Sequence, residues 1–279
     1  MNIRIIVDST ADLLPEIQPL VHVVPLTVRF GDEEYIDGVT IDHKTFYEKL
    51  IESDVIPTTS QASPAAFAIE YEKAAAAGDS AVVIAAASGL SGTYQSACIA
   101  AQEYKNIYVV DSGTVAIGAG ILVQRALQLI NDGYDAASIA RILDAEKQKI
   151  VIVALLDTLE YLKRGGRISK ATAFAGTVLG IKPVVSLIDG RINILGKARG
   201  SRQGNNLLVQ EIDKAGGVDF SRPVQLGYTG ISDALLCKYI ADSRHLWEKG
   251  LENVRYTSIG SVIGTHAGPG AIAAAFFKN

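Results

Sequence analysis

The sequence predicts a two-domain α/β protein, with an N-terminal domain (1–157) built on a parallel sheet and a C-terminal α+β domain (158–279) whose sheet is largely antiparallel. Three observations predict this. Through the first half, short apolar runs lead into polar turns and then into helical patterns, the alternation that builds a parallel sheet. In the second half two apolar runs flank Asp189-Gly190, a dipeptide suited to the tight turn of an antiparallel hairpin. A chain of 279 residues is also more readily served by two cores than by one enlarged core.

Taken in order, Ile3 to Val7 is an apolar strand ending in Asp8-Ser9-Thr10-Ala11-Asp12, where polar side chains are read to cap a short helix. Val21 to Phe30 and Tyr35 to Ile36 read as extended, turned at Gly31-Asp32, and Asp42 or His43 opens a helix to about Ser53. Pro57 to Pro64 breaks regularity and starts a helix, with Ser63 as N-cap and Pro64 at the first helical position. Ala81 to Ala87 is the next strand. It runs into Ser88-Gly89-Leu90-Ser91-Gly92-Thr93-Tyr94-Gln95-Ser96, a glycine turn opening a helix that reaches about Tyr104. Ile107 to Val110 is a strand, Asp111 to Thr114 a polar turn, and the helix that follows ends near Asn131-Asp132-Gly133.

After the strand Ile150 to Leu156 the character changes. Leu159 to Arg164 is a short helix closed by Gly165-Gly166, with Ser169 as a new N-cap. Val184 to Ile188 and Ile192 to Lys197 form the predicted hairpin. Helices over Ser201 to Lys214 and Ser232 to Trp247 alternate with strands at Val224 to Tyr228 and Asn253 to Ser258. Gly264 to Gly270, three glycines and a proline around His266, reads as a loop.

Composition excludes several function classes. No apolar stretch is long enough to span a bilayer, and the N-terminus meets an acid after a short apolar run, so the chain is read as cytoplasmic and without a signal peptide. The net charge of −4 gives no general attraction to nucleic acid or anionic lipid. Cys98 and Cys237 lie far apart without metal or disulfide spacing and read as packed thiols. The four histidines, His22, His43, His245 and His266, show no ligand spacing, so no metal and no cofactor are expected. Gly190 to Lys197 fails as a phosphate loop, and Gly118-Ala119-Gly120 lies inside a helical pattern with Val123 where a dinucleotide fingerprint has its third glycine.

The chemistry gathers where a parallel sheet places it, beyond the carboxyl ends of strands, where Asp8, Ser91 and Asp111 fall. Ser91 and Thr93 offer hydroxyls, Gly92 lets backbone approach a ligand, and the new helix favours an anion; helix capping is the alternative use of the same residues. Thr59 and Ser60 supply a second hydroxyl-rich loop, and the glycines around His266 expose its ring. Gly89-Leu90-Ser91-Gly92-Thr93 also approaches the nucleophile elbow of a serine hydrolase, with Asp111 and His266 following in the chain order of such a triad. Thr93 stands where that motif requires glycine. Two basic clusters, Arg164, Arg167 and Lys170, and Lys197, Arg199 and Arg202, are either solvated faces or docking points for an anion.

Together these motifs resemble the DegV family: Asp8-Ser9-Thr10-Ala11-Asp12-Leu13, Thr59-Ser60-Gln61 followed by Pro64, Ser88 to Tyr94, Gly165-Gly166-Arg167-Ile168-Ser169, and His266-Ala267-Gly268-Pro269-Gly270, in this order over nearly the whole chain. The resemblance implies a carrier, with no catalytic step of its own, that holds one long-chain fatty acid in a tunnel between two domains. Family positions matching Thr59, Ser91 and His266 would hold the carboxylate, with Ser60, Gly92 and Thr93 beside them. It further implies that the loaded protein presents the carboxylate to a separate ATP-using fatty acid kinase, with Arg167, Arg199 and Arg202 at the ligand mouth or the docking face. The hydrolase using Ser91, Asp111 and His266 is the alternative.

Overall fold

The first half is organised by apolar runs too short for a helix and covered on both faces, the signature of parallel strands. The computed structural model describes residues 2–169, 180–248, 250 and 254–279. Lys170, Asn253 and the segment that Ser169 is read to cap lie outside the described residues. Strand β1 (Ile3–Asp8) is flanked by β2 (His22–Val24), while β3 (Thr27–Phe30), β4 (Glu33–Ile36) and β5 (Thr58–Ser60) form a separate antiparallel sheet in the order β4-β3-β5. With β6 (Ser80–Ala85) and β7 (Ile107–Asp111), β1 and β2 complete a wholly parallel sheet ordered β2-β1-β6-β7. The run read as extended from Val21 to Phe30 is divided at Pro25, which has no N–H for a ladder, so its two parts enter different sheets.

Local capping follows the sequence. Asp42 accepts from Thr45 N at 2.7 Å to open the helix His43–Glu52, and Ser63 accepts from Ala66 N at 3.2 Å to open Pro64–Ala76. A further helix, Ala136–Glu146, follows the expected one at Ala116–Asn131; its cap, Asp135, accepts from Ser138 N at 2.7 Å. No α-helix follows Asp12 among the described residues, where only a 3-10 turn forms at Gln18–Leu20.

The sheet of the second half, called the second sheet, has six strands among the described residues. Its members are β8 (Ile150–Leu155), β9 (Ile181–Ile188), β10 (Arg191–Arg199), β11 (Gln225–Tyr228), β12 (Tyr256–Ser258) and β13 (Ile272–Phe277), ordered β10-β9-β8-β13-β11-β12. All pairs are antiparallel except β11 with β12. The hairpin turns at Asp189-Gly190 as expected, both residues at positive φ. Strand β8, which a boundary at 157 assigns to the first half, is hydrogen-bonded into this second sheet.

Two local readings are corrected. The helix expected over Ser232 to Trp247 is two, Ala234–Asp242 and Arg244–Trp247, because the Ser243 hydroxyl donates to Tyr239 O at 2.5 Å and accepts from Trp247 Nε1 at 3.0 Å, a side-chain pattern that bends the backbone. The segment around His266 begins as a helix, Ser261–Ala267, and leaves it only at Gly268, with φ at +72°. Gly264 is there for packing: a Cβ would stand 2.5 Å from Tyr47 Oη and 2.7 Å from the Phe46 ring.

The halves share an apolar cluster in which Ile117 and Ile121 of the helix Ala116–Asn131 meet Ile259, Ala273, Ala275 and Phe277. Polar contacts reinforce it, since Gln124 Nε2 donates to Gln225 Oε1 at 2.8 Å and Tyr47 Oη to Ile259 O at 2.9 Å.

Candidate functional site

The carboxyl ends of β1, β6 and β7 are tied together by acidic side chains used as loop anchors. Asp8 accepts from Thr10 N at 2.9 Å and Thr10 Oγ1 at 2.6 Å through one oxygen, and from Ala86 N at 2.6 Å through the other. Burial raises its carboxyl above the ordinary value, with these donors opposing the rise. Asp111 accepts from Gly113 N at 2.9 Å and Ser88 N at 3.2 Å, which locks the exit of β7 to the serine turn.

In that turn Ser91 Oγ lies 2.8 Å from Thr93 Oγ1 and accepts from Thr93 N at 3.2 Å. Thr93 is fully buried as the first residue of the helix Thr93–Ala101. The glycines have steric reasons. A Cβ on Gly92 would stand 2.1 Å from Gln61 Oε1, and one on Gly89 would stand 2.4 Å from the carbonyl oxygen of Gly190 in the opposing hairpin. Gln61 is held by its amide, which donates to Ser96 Oγ at 3.1 Å.

His266 approaches from the other half. Its Nε2 is 3.0 Å from Thr59 Oγ1, and its Nδ1 is buried without a hydrogen-bond partner among the described residues. The ring packs over Gly165, where a Cβ would stand 2.1 Å from Nδ1. Arg167 completes the patch by donating from Nη1 to Gly165 O at 2.7 Å and from Nε to Leu90 O at 3.3 Å. Burial, with the Arg167 cation adding to it, pulls the His266 imidazole from 6.5 down to about 4, so the ring is neutral at neutral pH.

These groups line one cavity of about 410 Å³. One wall is a single face of the second sheet: Ile152 and Ala154 of β8, Val185 and Leu187 of β9, and Ala271 and Ala273 beside and in β13, spaced by two as the pleat requires. Thr59, Gln61, Ser91, Gly92, Arg167 and His266 bring the polar groups, of which Thr59 and His266 are in direct hydrogen-bond contact. A neighbouring depression of about 750 Å³ is lined by charged residues including Lys147, Asp189 and Lys214, and takes in none of Thr59, Ser91 or His266.

Of the residues predicted from sequence, Thr59, Ser91, Gly92, Arg167 and His266 line the cavity, and Thr93 stands directly behind Ser91. Ser60 is exposed and lines no part of it, because alternation along β5 turns it opposite to Thr59. The same alternation puts Gln61 on the cavity side, a signal that was available in the sequence. Arg199 and Arg202 are exposed and outside the cavity. Thr10 and Gly165 are further members of the site, the first as lining and the second as the seat of the histidine. Cys98 is half-buried and Cys237 is exposed, both as free thiols.

The hydrolase alternative finds no support in this geometry. Ser91 is engaged with Thr93, His266 Nε2 with Thr59, and Asp111 with Ser88 and Gly113, and among the described residues no hydrogen bond joins the three. Among the described residues no group of three or more His, Cys, Asp or Glu is placed to hold a metal ion, and no helix is long and apolar enough to cross a membrane.

A family model described as "Uncharacterised protein, DegV family" matches residues 2–279. A DegV domain-containing protein of Deinococcus radiodurans is 34% identical over 282 residues, covering 99% of this chain and 98% of its own. Among solved structures, a DegV family protein from Thermus thermophilus described by its fatty acid binding superposes with a TM-score of 0.87 at 32% identity, over 99% of this chain and 100% of that one. A fatty acid (stearic acid)-binding protein from Eubacterium ventriosum superposes with a TM-score of 0.88 at 27% identity, over 100% and 99%.

Proposed function

The chain belongs to the DegV family, and from that premise we propose that its cavity holds one long-chain fatty acid, with the carboxylate at Thr59, Ser91 and His266. The observation that carries this reading is the placement of two hydroxyls on the cavity wall, Thr59 Oγ1 at 3.0 Å from His266 Nε2 and Ser91 Oγ accepting from Thr93 N at 3.2 Å and lying 2.8 Å from Thr93 Oγ1. We assign the ring proton to Nε2 and the Thr93 hydroxyl as donor to Ser91; in that arrangement both oxygens accept and both hydroxyl protons are left to donate to a ligand. Two such donors beside a guanidinium suit an anion that must lose its water on entry. The sheet wall supplies the complementary part, since burying an acyl chain is worth about 0.8 kcal/mol per methylene, and a volume of about 410 Å³ lies within the range of small-ligand sites. The fatty acids held by the Thermus thermophilus and Eubacterium ventriosum relatives support the same ligand class.

The reading extends to a partner. The carrier presents the bound carboxylate to a separate ATP-dependent fatty acid kinase, which transfers the γ-phosphoryl group of ATP to a carboxylate oxygen, breaking the bond to the β-phosphate and giving an acyl phosphate and ADP, while this chain makes and breaks no covalent bond. Arg199 and Arg202, exposed and outside the cavity, are the residues proposed to meet that partner.

The test is extraction of the purified protein with organic solvent and mass spectrometry of the extract. About one fatty acid per chain is expected; an empty extract, with no uptake of added palmitate, overturns the reading. For the partner step, alanine at Arg199 and Arg202 is expected to lower acyl phosphate formation by a fatty acid kinase with ATP while leaving palmitate affinity intact. Equal loss of both moves the arginines into the binding site.

A further inference from the structure

Asp12 belongs to the first loop motif, yet it lines no part of the cavity. It is buried, and its peptide unit is gripped on both sides: its N–H donates to Ala116 O at 3.2 Å, and its carbonyl accepts from Gln225 Nε2 at 2.9 Å. Ala116 is itself held at a φ of +55°, rare for a residue with a side chain, by donating its own N–H to Thr10 O at 2.8 Å. Gly120 makes the approach possible, since a Cβ there would stand 2.4 Å from the Asp12 carbonyl oxygen. This gives a structural use to a glycine that serves no nucleotide.

From this fixed platform Asp12 reaches into the other half, where its Oδ1 accepts from Gly260 N at 2.7 Å. Gly260 opens the seven-residue helix that carries His266 in its last turn. Tyr47 holds the same entry by donating to Ile259 O at 2.9 Å, and its hydroxyl fills the space left by Gly264 one turn on. Val262, Ile263, His266 and Ala267 of this helix face the cavity. A helix this short, gripped at its entry, has its rotation set there, and a modest rotation carries the imidazole off Thr59.

We infer that Asp12 is a positioning residue for the carboxylate site: by fixing Gly260 against the first half it sets the rotation of the Ser261–Ala267 helix and so holds His266 Nε2 on Thr59. Burial raises the Asp12 carboxyl well above its ordinary value, which favours its neutral form, and its second oxygen has no partner among the described residues. The amide of Asn is close to that form in shape and keeps the acceptor. The inference rests on the carboxylate reading only for its affinity measurement.

The experiment compares Asp12→Ala, Asp12→Asn and Leu208→Ala, the last a truncation in the core of the second half, in the full chain. Two quantities are read: the NMR titration midpoint of the His266 ring without ligand, and the affinity for palmitate. With Asp12→Ala the midpoint is expected to move from about 4 toward the ordinary 6.5, and palmitate affinity to fall about tenfold or more. Asp12→Asn is expected to keep both near wild type. Leu208→Ala is expected to lower thermal stability without moving the midpoint. An unmoved midpoint in Asp12→Ala, or an equal move in Leu208→Ala, overturns the inference. Should Asp12→Ala fail to fold, Tyr47→Phe, which removes only the hydroxyl on Ile259 O, decides by the same midpoint. If wild type binds no palmitate, the functional reading falls and the His266 titration still decides the role of Asp12.

Discussion

The cavity has two walls of different construction. The loop wall, from Thr59 and the turn Ser88–Gly92, is fixed atom by atom through hydrogen bonds and close glycine contacts. The sheet wall is fixed by register alone, with Ile152, Ala154, Val185 and Ala273 facing inward because the pleat alternates. Directional contacts discriminate a head group, whereas a pleated apolar face sets only volume and length. Substitutions on the loop side should therefore change whether a carboxylate is held, and those on the sheet side should change how long a chain fits.

The sharpest way to break this contrast is Gly165→Ala. Its φ is ordinary, so the added methyl acts mainly by displacing His266, with a lesser contact on Tyr161 O at 3.2 Å. A loss of about 3 kcal/mol, or about 100-fold in palmitate affinity, is expected by calorimetry with little change in helix content. A variant that binds normally would show that the histidine seat is dispensable.

Acidification probes the same histidine without ligand. The folded midpoint, about 4, lies below the ordinary 6.5, so the unfolded chain takes up the proton first. The neutral ring's contribution is complete above about pH 6.5 and lost as pH falls through about 4, reaching about 3 kcal/mol. Denaturant titrations from pH 7 to 4 should show this loss in wild type and its absence in His266→Asn, after subtraction of the carboxylate background common to both.

On the sheet side, Ala273→Leu fills part of the wall and should penalise the longest acyl chains by about 2 kcal/mol, the value of two or three methylenes, while sparing shorter ones. Competition between palmitate and laurate reads the change in preference; a uniform loss for both would mean that the sheet face also acts on the head. The smallest effect contrasts two serines. Ser91→Ala should weaken a fatty acid by about 1–2 kcal/mol and the matching fatty alcohol less, as befits a donor to an anion. Ser60→Ala, on the outer side of β5, should stay within about 0.5 kcal/mol of wild type for both.

The sequence reveals the parallel sheet of the first half and the antiparallel sheet of the second because strand alternation and the Asp189-Gly190 turn are local signals, whereas the separate sheet of β3, β4 and β5 rests on pairing between distant segments. Thr59, Ser91 and His266 are legible as hydroxyl-rich or glycine-rich loops, but their meeting is a matter of long-range packing. The misreading around His266 has a particular cause: Gly264 and Gly268 look like flexibility, and the structure uses them to admit Tyr47 and Tyr161 against the backbone. Membership of β8 in the second sheet was equally hidden, because a buried strand carries no label for the neighbour it will choose. The helix at Ala136–Glu146 was the avoidable omission, since Asp135 directly before the apolar-periodic run Ala136, Ile139, Ala140, Leu143 is an N-cap signal.

The position of β13 has a consequence for how the protein comes into being. This strand follows every other described strand in the sequence and lies in the middle of its sheet, between β8 and β11. Until it emerges from the ribosome, β8 and β11 face an open slot lined with unpaired backbone, and Ala273 is missing from the cavity wall. A cavity wall that includes Ala273 is complete only once β13 has paired, and the second half before that pairing is the stage most in need of protection from aggregation.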